Sequence, residues 1–574
     1  MTSPSKAKNQ AWWNALNLLK PSRVWKAEFA GYNTQRFAQD ALAGVTVGVV
    51  ALPLALAFGV TSGAGAAAGL FTAIVAGLIA SIFGGSRYQI SGPTGAMTVV
   101  LLPIIAQYGL EKVFVAGLMA GVMLILMGLL KLGRLVQFIP WPVITGFTGG
   151  IAVIIFLQQV PALLGIPAAR GPGIVPVTLE TVRLYLLEPQ VPTLALTALT
   201  AAVMVLWTRV SKRIPGSMVA LLLVTGLSLV FKLEVPRIGA IPTLLPAPHW
   251  PSVTLQDFSL LFSPALAIAL LAGIESLLSA VVADGMTIEE RHDPDRELVG
   301  QGLANLIAPL FGGIPATGAI ARTAVNVRSG GQTRLSGVIH SLFLVVVVLL
   351  LGRYAALIPT AALAGILMVT ALRMVELEAI VAVFRSTKSD FTALLLTTFV
   401  TVAFDLVLAI EVGLAAAAVL FIQRMTGQLE LRPLDLPEHT PSHLSAHHDL
   451  LRERVVAFRV EGPLFFGVAG EFIEVLLRVS SVDALILRMR RVGNMDASGA
   501  NALRTLKDTL ERRGVKLLLS GLQPQPTALL EKMGLLDEIT AGKRHLFETT
   551  DAAIEHAWSH VVRNRKPLAP TPTT

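Results

Sequence analysis

The sequence has no cysteine. Disulfides and thiolate metal centres are therefore excluded, and the redox compartment cannot be read from it. Charge is scarce: Asp, Glu, Lys and Arg make up 14% of 574 residues, against 53% hydrophobic residues. Mean hydropathy is +0.68, too apolar for a soluble enzyme of this length. The first 29 residues lack the apolar centre of a signal peptide. They are basic and amphipathic, and read as part of a cytosolic leader (1–36) whose tryptophans rest at the membrane interface.

What is abundant is apolar runs near 20 residues, each long enough to cross a ~30 Å hydrocarbon core. They fall at about 41–60, 65–83, 93–108, 113–130, 136–160, 193–208, 216–231, 262–283, 298–312, 316–327, 335–352, 357–372, 391–404 and 407–423. With the N-terminus inside, inner loops carry 13 Lys and Arg and outer loops 6. That bias predicts fourteen spans with both termini in the cytosol. The net charge of +9 then belongs to cytosolic loops and calls for no nucleic acid.

The chain repeats itself. "ISGPTGAMTVV" (90–100) and "IPATGAIARTAV" (314–325) share Thr-Gly-Ala, Thr94 mapping to Thr317 at an offset of 223. Phe83-Gly84-Gly85 precedes the first copy and Phe311-Gly312-Gly313 the second. "GRLVQFIPWPVITG" (133–146) parallels "GRYAALIPTAALAG" (352–365) at an offset of 219. Seven spans per half, an odd number, predicts an inverted repeat, a common plan of secondary transporters.

After Arg424 the pattern changes. A polar linker (427–450) leads to alternating strand and helix signals over 451–565, then a tail (566–574). The alternation predicts a small, mostly parallel sheet covered by helices.

In an inverted repeat, two interrupted helices point their N-termini toward each other at the midplane, where free N–H groups and the dipole attract an anion. Gly92, Pro93, Thr94 and Gly95 suit the first such start, and Pro315, Thr317 and Gly318 the second. Arg322 follows in the second copy, where the first has Val99. An arginine at this depth suggests a positive charge beside the two helix ends; a cytosolic anchor is the plainer alternative. Glu275 sits mid-span in "GIESLLSAVVADG" with Ser279 one turn on. A carboxylate there should be protonated, paired or bound to a cation, so Glu275 is expected to carry H⁺, or with Ser279 to ligate Na⁺. A structural pair with Arg322 is the alternative. Gln89, Gln158, Gln159, Asn305 and His340 read as interhelical hydrogen bonds. Phe58 either walls the site or packs.

These motifs together, "GPTG", "GIES", "PATGAIARTAVN" and, in the soluble part, "NMDASGANAL", resemble the SulP family of anion transporters with a C-terminal STAS domain. The resemblance implies a membrane domain over 37–426, with a core of spans 1–4 and 8–11 and a gate of spans 5–7 and 12–14. It implies a homodimer and a small anionic substrate such as a dicarboxylate, bicarbonate or sulfate. Its site would draw on Phe58, Thr94, Gly95, Ala96, Glu275, Ala319 and Arg322. Bicarbonate-transporting relatives that use Na⁺ carry Asp and Thr where this chain has Glu275 and Ser279. Asp496, Ser498 and Gly499 match a turn in which the serine is phosphorylated, a route for a cytosolic regulator; helix capping by Ser498 is the simpler account. No catalytic group, resident cofactor or metal is expected. The expected activity is proton-coupled symport across the inner cell membrane. Na⁺-coupled bicarbonate uptake, anion exchange, a nucleobase permease of the same fold, and an anion channel or STAS-linked sensor are the competing readings.

Overall fold

The computed structural model describes Trp25 and most of residues 28–564; outside it lie 1–24, 26–27, 135–139, 168–172, most of 405–429, 437–440, 478–481, 565–574 and a few single positions. The expected leader and tail lie largely or wholly outside the described residues, as does about half of the expected last span (407–423). Most of the expected linker (427–450) is described and is not a free connector: Glu430–Pro433 is a strand of the second unit's sheet. The chain divides into two units, 1–415 and 416–574.

The first unit is helical. Its main helices are α1 (Thr34–Thr61), α2 (Ala66–Phe83), α3 (Gly95–Tyr108), α4 (Leu110–Leu129), α5 (Trp141–Gln158), α6 (Val191–Val210) and α7 (Gly216–Val230) in the first half. The second half has α8 (Phe262–Met286), α9 (Pro294–Ile307), α10 (Ile320–Arg328), α11 (Leu335–Ala355), α12 (Thr360–Met374) and α13 (Lys388–Ala403). Among the described residues, seven helices are long and apolar enough to cross a membrane. The two that follow the repeated phrase are short: α3 has 14 residues and α10 nine. At 1.5 Å per residue they reach only ~21 Å and ~14 Å, short of a ~30 Å hydrocarbon core. The periodicity also hid a helix at Ile174–Leu187, whose four charged or polar side chains break the apolar run.

Packing partners fall into two groups. Helix α9 lies against α4 and α2, α11 against α1 and α2, and α8 against α4 and α10. Separately, α5 lies against α13 and α12, and α6 against α12 and α7. Small residues permit the close approaches. A Cβ on Gly44 would meet Ser336 O at 2.5 Å, and one on Gly121 would meet Gly302 O at 2.7 Å. Backbones in contact gain dispersion energy where the hydrophobic effect offers none between helices.

Buried charges lock the start of the chain to the corner between α10 and α11. Glu28 and Arg334, each 1% exposed at the side chain, pair at 2.7 Å. Asp40 accepts hydrogen bonds from the Gln332 and Thr333 amides at 2.7 and 3.0 Å and from the Thr333 hydroxyl at 2.6 Å. Removing one partner of such a pair would leave a buried charge unpaired, at about 3–5 kcal/mol.

The second unit holds a five-stranded sheet ordered β3 (Glu430–Pro433), β4 (Val455–Glu461), β5 (Ala484–Arg491), β6 (Lys516–Ser520) and β7 (Leu546–Phe547), numbering from two short strands of the first unit given below. Only β3 is antiparallel. The mostly parallel sheet expected from the sequence is thus observed. Along β5, Leu485, Leu487 and Met489 enter one core, and Ala484 and Ile486 the other. Continuous apolar strands arise because both faces are covered: α14 (Ala469–Leu477) and α15 (Ala497–Arg512) contribute to one core, and α16 (Thr550–Asn564) closes the second.

Candidate functional site

The two copies of the Thr-Gly-Ala phrase meet. Ser91–Gly92 (β1) and Thr317–Gly318 (β2) form a two-stranded antiparallel ladder, with Ser91 opposite Gly318 and Gly92 opposite Thr317. The pairing is displaced by about three residues from strict repeat symmetry, since Ser91–Gly92 correspond to Ile314–Pro315 at the offset of 223. Helices α3 and α10 start just beyond, each from one strand.

Glu275 of α8 sits at this junction. The hydroxyls of Thr94 and Thr317 both donate to its Oε2, each at 2.8 Å, and lie 3.1 Å from one another. Thus two residues 223 apart in sequence converge on one carboxylate oxygen. The adjacent Ser276 hydroxyl accepts from the Gly318 amide at 2.9 Å, fixing β2 onto α8.

Arg322 of α10 is 1% exposed. Its Nη2 donates to the Pro93 carbonyl, and its buried Nη1 has no hydrogen-bond partner. No hydrogen bond joins it to Glu275, so the expected alternative of a structural pair is not what is seen. Nor is it a solvent-exposed cytosolic anchor at the helix's inner end, being fully buried. The guanidinium lies against Gly92, where an added Cβ would come within 2.5 Å of Nη1. Phe58 is 5% exposed and rests its ring on the start of α3, where a Cβ on Gly95 would be 3.2 Å from Phe58 Cε1. Ala96 and Ala319 are buried at 2% and 7% beside these helix starts.

Three expectations are corrected. Thr94 caps α3, accepting from the Met97 amide at 3.4 Å, but Thr317 does not cap α10. It lies in β2, three residues before the helix; Ala319 occupies the cap position and offers no side-chain oxygen. Ser279 does not join Glu275: its hydroxyl donates to Thr323 Oγ1 at 3.0 Å, which also accepts the Ile90 amide at 3.1 Å. One helical turn separates Ser279 from Glu275, and the competing hydroxyl on α10 is nearer. Ser498 is not the helix cap either. Asp496 caps α15 by accepting from the Gly499 amide at 2.8 Å, and Ser498 is exposed in the first turn.

The polar residues read as interhelical bonds divide. Gln159 accepts from the Thr61 hydroxyl of α1 at 3.4 Å, whereas Gln89 and Asn305 tie helix to loop, Gln89 donating to Glu297 Oε1 at 2.6 Å and Asn305 to the Ala316 carbonyl at 2.9 Å. His340 makes none: both ring nitrogens are buried without a partner. The sequence reading missed Glu297 altogether. This buried carboxylate accepts from Gln89 and Gln301 through Oε1, and from the Gly85 and Ser86 amides through Oε2 at 2.7 and 3.0 Å. The available signal was the Phe-Gly-Gly of the repeat, whose Gly85 amide Glu297 binds.

A helical membrane unit in which two short helices meet over a buried carboxylate and arginine, followed by a sheet unit of mostly parallel strands, has the build of a membrane transport protein. The sulfate permease family model matches residues 37–397, and the STAS domain model matches residues 451–553. The chain belongs to the sulfate permease family. It is 42% identical to the putative sulfate transporter YvdB of Bacillus subtilis, over 92% of this chain and 99% of that one. It is 35% identical to the bicarbonate transporter BicA of Picosynechococcus, over 88% and 92% respectively. The solved transmembrane domain of a cyanobacterial BicA superposes with a TM-score of 0.60 at 34% identity, covering 67% of this chain and 98% of that one. The murine anion transporter Slc26a9, solved in its inward-facing state, gives 0.83 over 94% of both chains at 18% identity, a likeness of fold. This chain is accordingly a multi-pass membrane protein and an anion transporter.

Proposed function

We propose that the chain carries a small oxyanion (sulfate, bicarbonate or a dicarboxylate) across the inner cell membrane as a proton-coupled symporter working by alternating access. The observation that carries this reading is the buried, unpartnered Nη1 of Arg322 at the junction of two short helices. A buried donor without an acceptor costs about 1–3 kcal/mol, more for a charged one. An anion between the starts of α3 and α10 would supply the acceptor and meet two positive helix ends. Thr94, Gly95, Ala96, Gly318 and Ala319 form the floor of that place, and Phe58 its apolar wall.

Glu275 carries the coupling proton in this reading. It accepts hydroxyls from both repeats on one oxygen, so its protonation state is felt at both helix starts. Anion entry offsets the charge of Arg322 and proton entry that of Glu275; with a singly charged anion such as bicarbonate the loaded site then crosses the apolar interior without net buried charge, whereas a dianion requires a second proton. The two packing groups serve as the moving core (α1–α4, α8–α11) and the gate (α5–α7, α12, α13). Both termini are cytosolic, the protein works as a homodimer, and no substrate bond is made or broken.

A second reading replaces H⁺ by Na⁺. Two hydroxyls beside one carboxylate are hard oxygen ligands, which favours it. Purified protein in liposomes, given radiolabelled sulfate, bicarbonate and succinate under imposed pH or Na⁺ gradients, separates them. Uphill uptake driven by an inward proton gradient supports the first reading, and uptake that ignores pH and needs Na⁺ the second. Downhill flux alone would sink both in favour of a channel.

A further inference from the structure

The STAS unit brings together three histidines that the transport reading does not use. His545 immediately precedes β7, and its backbone is fixed on both sides: its amide donates to Thr540 O and its carbonyl accepts from the Leu519 amide, each at 2.9 Å. His556 and His560 lie one turn apart on α16. That helix is held in place by Ala553, Ile554, Ala557 and Val561, buried against the sheet. Two separate elements thus aim imidazoles at one point. Ring centroids are 5.4 Å apart for His545 and His556, 5.6 Å for His545 and His560, and 4.9 Å for the helical pair. One ligand nitrogen from each lies within 4.8 Å of the other two.

We propose that His545, His556 and His560 form a site for a divalent transition metal of the Zn²⁺ type, which clamps α16 to the edge of the sheet. The Nε2 atoms of His556 and His560 are already 3.2 Å apart. Tetrahedral Zn–N bonds of about 2.0–2.1 Å place neighbouring ligands roughly 3.3 Å apart. Rotation of the His545 ring closes the remaining distance. Burial, the largest influence on each ring, and neighbouring cationic groups lower all three basicities, His545 to about 4. The three are therefore neutral near pH 7, with lone pairs free for a metal. The surrounding charges oppose one another: Lys516 and Arg563 repel a cation, whereas Glu511 and Asp483 attract it. An all-imidazole set selects Zn²⁺, Ni²⁺ or Cu²⁺ over Mg²⁺ and Ca²⁺, which require oxygen ligands. The fourth position is left to water or a carboxylate.

The test uses full-length protein without a polyhistidine tag, stripped with chelator in detergent. Zn²⁺ titration by calorimetry should show binding that is absent for Mg²⁺. The His545→Asn/His556→Asn/His560→Asn variant should lose it, with affinity falling at least roughly tenfold. Histidines at 439, 443, 447 and 448 in the linker region supply a background, and this variant retains them. Diethyl pyrocarbonate mapping by mass spectrometry needs no substitution: Zn²⁺ should protect His545, His556 and His560 while leaving His443 reactive. Equal Zn²⁺ binding by the variant, or no selective protection in the wild type, would overturn the proposal.

Discussion

The two copies of the Thr-Gly-Ala phrase play the same part in the fold with different chemistry. Both supply a two-residue strand and then a short helix. In the first, Thr94 both caps its helix and reaches Glu275. In the second, Thr317 is displaced into the strand, its hydroxyl goes to Glu275, and the helix carries Arg322 instead of a threonine cap. The inverted repeat thus provides a symmetric frame, and single residues make it polar. One half contributes the fixed positive charge, the other the carbonyl of Pro93 that orients it. A symmetric pair of arginines would place two like charges within reach of each other at membrane depth, which is costly.

Breaking the asymmetry should have the largest effect. Arg322→Ala is expected to weaken anion binding by about 1.5–3 kcal/mol, since charge-assisted hydrogen bonds are lost. Binding of labelled sulfate or bicarbonate to purified, monodisperse protein measures it. Wild-type affinity would remove Arg322 from the site. Gly92→Ala probes the same contact without deleting the charge: the new methyl group would displace the guanidinium, and affinity should fall less than for Arg322→Ala.

Glu275→Gln separates coupling from binding. It keeps a polar group for Thr94 and Thr317 but holds no exchangeable charge. Anion binding should persist while accumulation driven by an inward proton gradient is lost. Uptake by this variant that still scales with the imposed gradient would defeat the coupling role of Glu275.

A smaller effect sharpens the comparison between the threonines. Thr94→Ala removes a cap and a hydrogen bond, Thr317→Ala only hydrogen bonds. The first should destabilise the protein by about 1 kcal/mol more than the second, read from thermal unfolding in detergent. Equal losses would mean the long 3.4 Å cap bond contributes nothing. The smallest effect on binding is expected from removing the STAS unit. Truncation after Gln428 leaves the junction intact, so substrate affinity should be retained while transport rate falls. Aggregation in every lipid and detergent would show that the unit is needed for folding.

Much of this molecule was written in local sequence. Long apolar runs gave the helical membrane unit, because in hydrocarbon each segment must satisfy its own backbone. The alternation beyond Arg424 gave the parallel sheet. The repeated Thr-Gly-Ala gave the place of the junction, and the lone carboxylate and arginine stood out because charge is rare among their neighbours. What the sequence left open was the destination of each polar side chain. Ser279 lies one turn from Glu275 yet bonds Thr323; Ser498 lies beside a helix start yet Asp496 caps it. Glu297, which nothing in the local sequence singled out, is a buried acceptor of four donors. Hydrogen bonds act over about 3 Å and depend on angle. Which of several nearby partners is taken is therefore decided by how helices far apart in sequence are packed, and only the tertiary structure fixes that.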